Sequence, residues 1–142
     1  EEDMLVALPA GHALAQNADD EALPLSALAN EIFILYKRPG GPGLYDTIIT
    51  ACRGAGFSPR VGQEAPRIIS TLNLVAAGLG VSVVPESLRR LQMDGVVYRR
   101  LSGSAALKAP LILACRPGEN SAAVQRFLDL VQRPSDSVTG DH

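Results

Sequence analysis

Apolar residues along this 142-residue chain alternate between short unbroken runs and stripes at helical spacing. The runs predict strands and the stripes predict helices. Met4 to Leu8 (MLVAL) is an apolar run closed by Pro9 and Gly11, which predicts a buried strand. Leu23 to Ala29 (LPLSALA) predicts a brief helix, and Ile32 to Tyr36 (IFILY), rich in β-branched and aromatic residues, a second strand. Leu44, Ile48, Cys52 and Ala55 recur at helical spacing with Asp46 and Arg53 on other faces, so an amphipathic helix over 43–55 is expected, stopped by Gly56. Arg60 to Ala65 can form a short strand, followed by Pro66 at a first helical position. Ile68, Leu72, Val75, Ala76 and Leu79 then make one stripe, and Val81 to Val84 the next strand. Pro85 opens a short helix through Leu91, and Val96–Leu101 and Ala109–Cys115 are two more expected strands. A last helix runs from Ser121 to Gln132 with a face of Val124, Phe127, Leu128 and Val131; Ser121 or Asn120 can cap it, and Pro134 ends it.

Strand and helix thus alternate over most of the chain, the pattern of an α/β layered sheet with mostly parallel strands. One stretch tests that reading. Gly78-Leu79-Gly80 stands before an apolar run and invites comparison with a dinucleotide-binding turn, which needs three glycines after a strand and before a helix. Here Val83 replaces the third glycine and the order is reversed, helix first and strand second. The glycines are therefore expected at a helix C-terminus, where the dipole repels phosphate.

The length suits one ordinary domain, and 46% hydrophobic residues are enough for a core. No apolar run approaches the ~18–20 residues of a membrane span, so no membrane partner is expected. A net charge of −2, with no dense Lys/Arg cluster, makes these residues a poor grip for nucleic acid. Cys52 and Cys115 lie far apart in apolar segments and are expected to be buried small hydrophobes. His12 and His142 have no partners at ligand spacing, so no metal site is expected. Neither a nucleophile elbow nor a Walker loop occurs, and Asp19-Asp20-Glu21 reads as a solvated loop. No catalytic residue and no cofactor are assigned.

Geometry offers more than reactive side chains do. Helices are expected to start near Gly43 and near Pro66, each just after a strand. In an open α/β sheet such loops lie at the carboxyl ends of strands, where ligands bind, and free helix N-terminal amides favour an anion. Arg38, in the loop KRPGGPG (Lys37 to Gly43), could add charge. A plain turn accounts for the same residues, and the spacing alone leaves both readings open.

LVALPAGHALA (Leu5 to Ala15), IFILYKRPGGPGLYD (Ile32 to Asp46), AGFSPRVGQEA (Ala55 to Ala65), LNLVAAGLGVSVVPESL (Leu72 to Leu88) and GVVYRRL (Gly95 to Leu101) occur in this order. In order and spacing they resemble the C-terminal effector-binding domain of LysR-type transcriptional regulators. The resemblance extends to about Pro134, with one departure: Ala13 stands where the family usually has proline, in a surface turn.

The resemblance implies a fold like the type 2 periplasmic binding proteins, with a small-molecule effector between two lobes. Residues 16–95 would be the second lobe, 1–15 and 96–134 the hinge strands and a remnant of the first, and 135–142 a disordered tail. Pro42, Gly43 and Leu44 match the position where amides at a helix start meet the effector, a carboxylate in many members. Gly41 and Tyr45 would shape the site, and Arg38 is a further candidate. The implied protein is a cytoplasmic, non-enzymatic regulator, and its DNA contacts would come only from an N-terminal helix-turn-helix outside these residues. Without the rest of the first lobe, the strands at Met4–Leu8 and Ala109–Cys115 and the last helix are expected to expose apolar surface. Self-association as a homodimer or homotetramer, or a swap of terminal segments, would cover it. The same two-lobed fold also serves periplasmic-type solute receptors and enzymes, so that alternative stays open.

Overall fold

A computed structural model describes residues 1–16, 21–37, 43–103, 107–110, 114–118 and 121–132. The chain divides into two compact units, residues 1–111 and 112–142, where length alone suggests one domain.

The first unit is organised around β1 (Glu2–Pro9), in which Met4 to Leu8 are at most 3% exposed. Both faces of this strand are covered, which is why its sequence is an unbroken apolar run and not an alternation. Met4, Val6 and Leu8 join the larger core with Leu25, Leu28, Phe33, Leu35, Ile48, Cys52, Val81 and Val83. Ala7 turns the other way, toward Ile34, Leu72, Val75 and Val84. The sheet therefore lies between two layers, with α2 (Leu44–Gly54) on one face and α3 (Ile68–Ala76) on the other. A short α1 (Ala13–Gln16) adds Ala15 to the α2 side.

Pairing departs from the parallel sheet that alternation predicts. β1 is antiparallel to β5 (Ser82–Pro85), to β6 (Val96–Ser102) and to the two-residue β7 (Lys108–Ala109). Parallel pairing is confined to β2 (Leu23–Pro24) with β6 and to β3 (Ile32–Tyr36) with β4 (Arg60–Ala65), besides one bridge between Phe33 and Val81. The β1 run is also not an exposed edge: β5 and β6 flank it on its two sides.

Several boundaries move for identifiable reasons. Leu23–Pro24 pairs with β6, so only Leu25–Leu28 is left for a single 3₁₀ turn that buries Leu25 and Leu28. The segment after Pro85 is likewise 3₁₀, over Glu86–Leu91, with the Glu2 carboxylate accepting from Ser87 N–H at 2.9 Å and Ser87 Oγ at 3.1 Å. Pro66 lies before α3, not at its first position: Arg67 is the N-cap in extended conformation, and its carbonyl accepts from Thr71 N–H at 3.1 Å. Of the expected strand Ala109–Cys115, Ala109 is the last residue of β7 and residues 111–113 lie outside the described residues. Residues 114–116 are not in a strand, and Cys115 is exposed, whereas Cys52 is buried as expected.

The glycine pair works as a joint. Gly78 adopts φ +80° and donates to Val75 O at 2.9 Å, while Leu79 N–H donates to Leu74 O at 3.1 Å, the two bonds of a Schellman ending. That turn carries Leu79 away from the helix stripe and leaves it 50% exposed, so it does not anchor the joint. The buried face of α3 is Thr71, Leu72 and Val75. Gly80 is needed for close approach: a Cβ there would sit 2.5 Å from Ile32 O, beside the hydrogen bonds Val81 N–H to Ile32 O and Ile34 N–H to Val81 O, both 2.8 Å. α2 closes with the same two bonds, from Gly56 to Arg53 and from Phe57 to Cys52.

In the second unit the described element is α4 (Ala122–Gln132). Gln125 N–H donates to Ser121 O at 3.0 Å, which places Ser121 at the helix entry. Asn120 and the segment 135–142 lie outside the described residues.

Candidate functional site

The parallel pair β3–β4 ends in register, Tyr36 opposite Ala65, and Lys37 N–H extends the ladder to Ala65 O at 3.2 Å. Beyond this edge α2 and α3 begin, one on each face of the sheet. Gly43 is the N-cap of α2, in extended conformation (φ −130°, ψ −168°) and without a capping side chain. Its carbonyl accepts from Asp46 N–H at 3.1 Å and Thr47 N–H at 3.4 Å. The N–H groups of Leu44 and Tyr45 have no acceptor within the helix, the usual state of a first turn. A side-chain cap would compete for such amides; glycine leaves the approach open.

Three side chains gather at this helix start. The Lys37 ammonium lies 3.6 Å from Glu64 Oε2 and 5.9 Å from the centre of the Tyr45 ring, within cation–π range. The Glu64 carboxylate is close enough to act electrostatically on the Tyr45 phenol. Burial is the main cause that raises the Tyr45 phenol above its ordinary value of 10.0; the nearby Glu64 carboxylate adds to this, and Lys37 partly offsets it. Two carboxylates, Glu64 and Asp46 of the first helical turn, thus oppose the anion preference of the amides, and Lys37 balances one of them.

Of the residues expected at the site, Gly43, Leu44 and Tyr45 are together at the start of α2. Arg38, Gly41 and Pro42 lie outside the described residues. Lys37 and Glu64 were not anticipated. The signal for Glu64 was the register Leu35 opposite Glu64, which puts it beside Tyr45 and which spacing within one strand does not reveal.

Several other polar groups have structural partners. His12 Nδ1 accepts from Leu14 N–H at 3.1 Å, and its Nε2 is 3.0 Å from Glu31 Oε2. Arg99 ties α1 and Glu21 to β6, donating to Leu14 O at 2.8 Å and Glu21 O at 2.6 Å. Ser82 Oγ donates to Ile34 O at 2.6 Å. Burial raises the Cys52 thiol to about 11, so it stays a protonated core group at neutral pH. Two shallow depressions lie along the 3₁₀ segment, one at Glu2, Ser87 and Arg90, the other at Gln92, Asp94 and Tyr98, neither at the α2 start. Among the described residues no group of three or more His, Cys, Asp or Glu is placed to hold a metal, and no helix is long and apolar enough to cross a membrane.

Comparison with known proteins gives this geometry a context. A family model described as the LysR substrate binding domain matches residues 1–134. The HTH-type transcriptional regulator CatR of Pseudomonas putida is 37% identical over 136 residues, covering 95% of this chain and 45% of that protein. The regulator BudR of Raoultella terrigena is 32% identical over 130 residues, covering 92% of this chain and 43% of that protein. The chain thus spans less than half the length of these relatives. Full-length BenM superposes with a TM-score of 0.76 at 26% identity, over 92% of this chain and 42% of that one. The BenM effector binding domain with its effector benzoate gives 0.75 at 24% identity, over 99% of this chain and 66% of that one, a likeness of fold. The fold is the α/β arrangement of these domains, like the type 2 periplasmic binding proteins. Since the family match runs through every described element, from β1 to α4, the chain belongs to the LysR substrate-binding domain family.

Proposed function

We propose that this chain is the effector-binding part of a LysR-type transcriptional regulator and that it takes a small carboxylate at the start of α2. One observation carries the reading: in a chain of this family, an uncapped helix start at Gly43 stands at the carboxyl edge of a parallel strand pair, with Lys37 beside it. Backbone N–H groups of Gly43, Leu44 and Tyr45 would receive the carboxylate, and Pro42, which has no N–H to donate, would shape the entry to the helix. Gly41 and Arg38 would complete the wall. Residues 16–95 would form one lobe, and 1–15 with 96–134 the hinge and part of a second lobe, so that ligand closes a cleft between them. In the whole protein, a cytoplasmic homodimer or homotetramer, closure would change how a helix-turn-helix segment engages DNA. The chain has no enzymatic role in this account.

A thermal-shift screen of small carboxylates, benzoate among them, tests the reading. A ligand of the folded state at a hundredfold excess over its Kd stabilises by about 2.7 kcal/mol, enough to read as a shifted midpoint. Carboxylates are expected to stabilise and their neutral amides to do so less. Gly43→Val should weaken each hit by crowding the amides; valine is also a poorer N-cap than glycine, so the unliganded midpoint should fall modestly and affinities are compared on the folded protein. Equal affinity in wild type and Gly43→Val would show that the segment is only a turn.

A further inference from the structure

The cluster beside Gly43 contains more charge than a simple anion cradle needs. Lys37 follows β3 directly, Glu64 is the second-last residue of β4, and Tyr45 is in the first turn of α2. Three different elements thus bring an ammonium, a carboxylate and a phenol together: the ion pair is at 3.6 Å and the ring lies under the ammonium at 5.9 Å. Lys37 is anchored by these contacts yet its side chain remains 64% exposed, so it can exchange partners without unfolding anything. Asp46 is a second carboxylate on the same helical turn.

The charges make a competition. An incoming carboxylate that accepts from the α2 amides meets repulsion from Glu64 and attraction from Lys37, and these two already partly neutralise each other. Remove Lys37, and Glu64 faces the anion unbalanced. Neutralise Glu64, and Lys37 is released to the ligand. A neutral ligand of the same shape is indifferent to either change.

We infer that the Lys37–Glu64 pair, seated on Tyr45, sets the ligand-charge preference of the site: the ligand carboxylate takes over Lys37, and Glu64 is the built-in competitor it displaces. The inference rests on the effector-site reading above and adds to it a pair of specificity-determining residues. It concerns charge selection and is independent of which uncharged frame the ligand carries.

Benzoate and benzamide are the probes, titrated calorimetrically into the 142-residue chain at low salt. Because the pair is solvent-exposed, the effects are modest: Lys37→Met should weaken benzoate roughly two- to fivefold and Glu64→Gln should strengthen it by a similar factor. Benzamide should be unmoved by both. Lys37→Arg should keep the wild-type benzoate-to-benzamide ratio. At about 1 M salt, where screening acts within ~3 Å, the differences between variants should shrink. Equal melting midpoints of the variants establish that folding is intact. If benzoate binds but its ratio to benzamide is the same in wild type, Lys37→Met and Glu64→Gln, the inference is overturned and the site reading stands. If benzoate does not bind the wild-type chain, both are overturned.

Discussion

β1 and β4, strands of two different sheets, show how differently one fold treats its strands. β1 lies between β5 and β6 with both faces covered, and Met4 to Leu8 form an apolar run that exposes almost nothing. β4 pairs only with β3, and its sequence RVGQEA leaves Arg60, Gly62, Gln63 and Glu64 exposed. The central strand has no side chain free for chemistry. The edge strand contributes little to the core beyond Ala65 and the partly buried Val61, and can therefore place a charge at the α2 start. Stability and specificity are thus assigned to different strands, which predicts that they respond to different substitutions. Charged residues on the edge have a second consequence, since they discourage pairing with another strand.

The sharpest way to break this division is Leu8→Ala. Its side chain is fully buried in the larger core, so the loss should be about 2–5 kcal/mol, read from the urea midpoint at constant slope. A loss below that of Glu64→Gln would refute the contrast. Gly80→Val comes next: its Cβ would press on the backbone oxygen of Ile32, which cannot yield as a flexible side chain would. Overpacking of this kind costs about 1–3 kcal/mol, and an unchanged midpoint would mean that the close approach between β3 and Val81 is not needed for the fold. Glu64→Gln should change stability by no more than about 1 kcal/mol, as exposed ion pairs do.

The smallest effect is spectroscopic. Followed by ultraviolet absorbance against a Tyr45→Phe reference, Glu64→Gln should move the Tyr45 phenol down toward 10.0, and Lys37→Met should move it further up. Since the fold holds this phenol protonated, its contribution to stability is complete below pH 10.0 and is lost as pH rises beyond it. Identical titrations in all three proteins would show that the three side chains are not coupled.

Much of this was legible from residue spacing, because the period of apolar positions reports which faces are buried. IFILY, RVGQEA and the Leu44–Ile48–Cys52 stripe map onto β3, β4 and α2. Strand direction was not legible: β1 meets β5 and β6 antiparallel through contacts some 80 to 90 residues away, by the register Met4 to Pro85 and Pro9 to Val96. Leu79 fits the α3 stripe by count, yet the Schellman turn at Gly78 rotates it into solvent. At the site, the helix start at Gly43 could be read from one segment, whereas Lys37 and Glu64 needed the register between two. The loop 38–42, with Arg38, Gly41 and Pro42, lies outside the described residues.

The account stands or falls on where a small carboxylate touches this chain. Titrating benzoate into the isotopically labelled protein and following backbone amide resonances answers that directly. The largest saturable shifts are predicted at Leu44, Tyr45 and Asp46, with smaller ones at Lys37 and Glu64, and benzamide should produce a weaker version of the same map. Shifts concentrated along Glu86–Tyr98, or none at the α2 start when benzoate saturates, would contradict it.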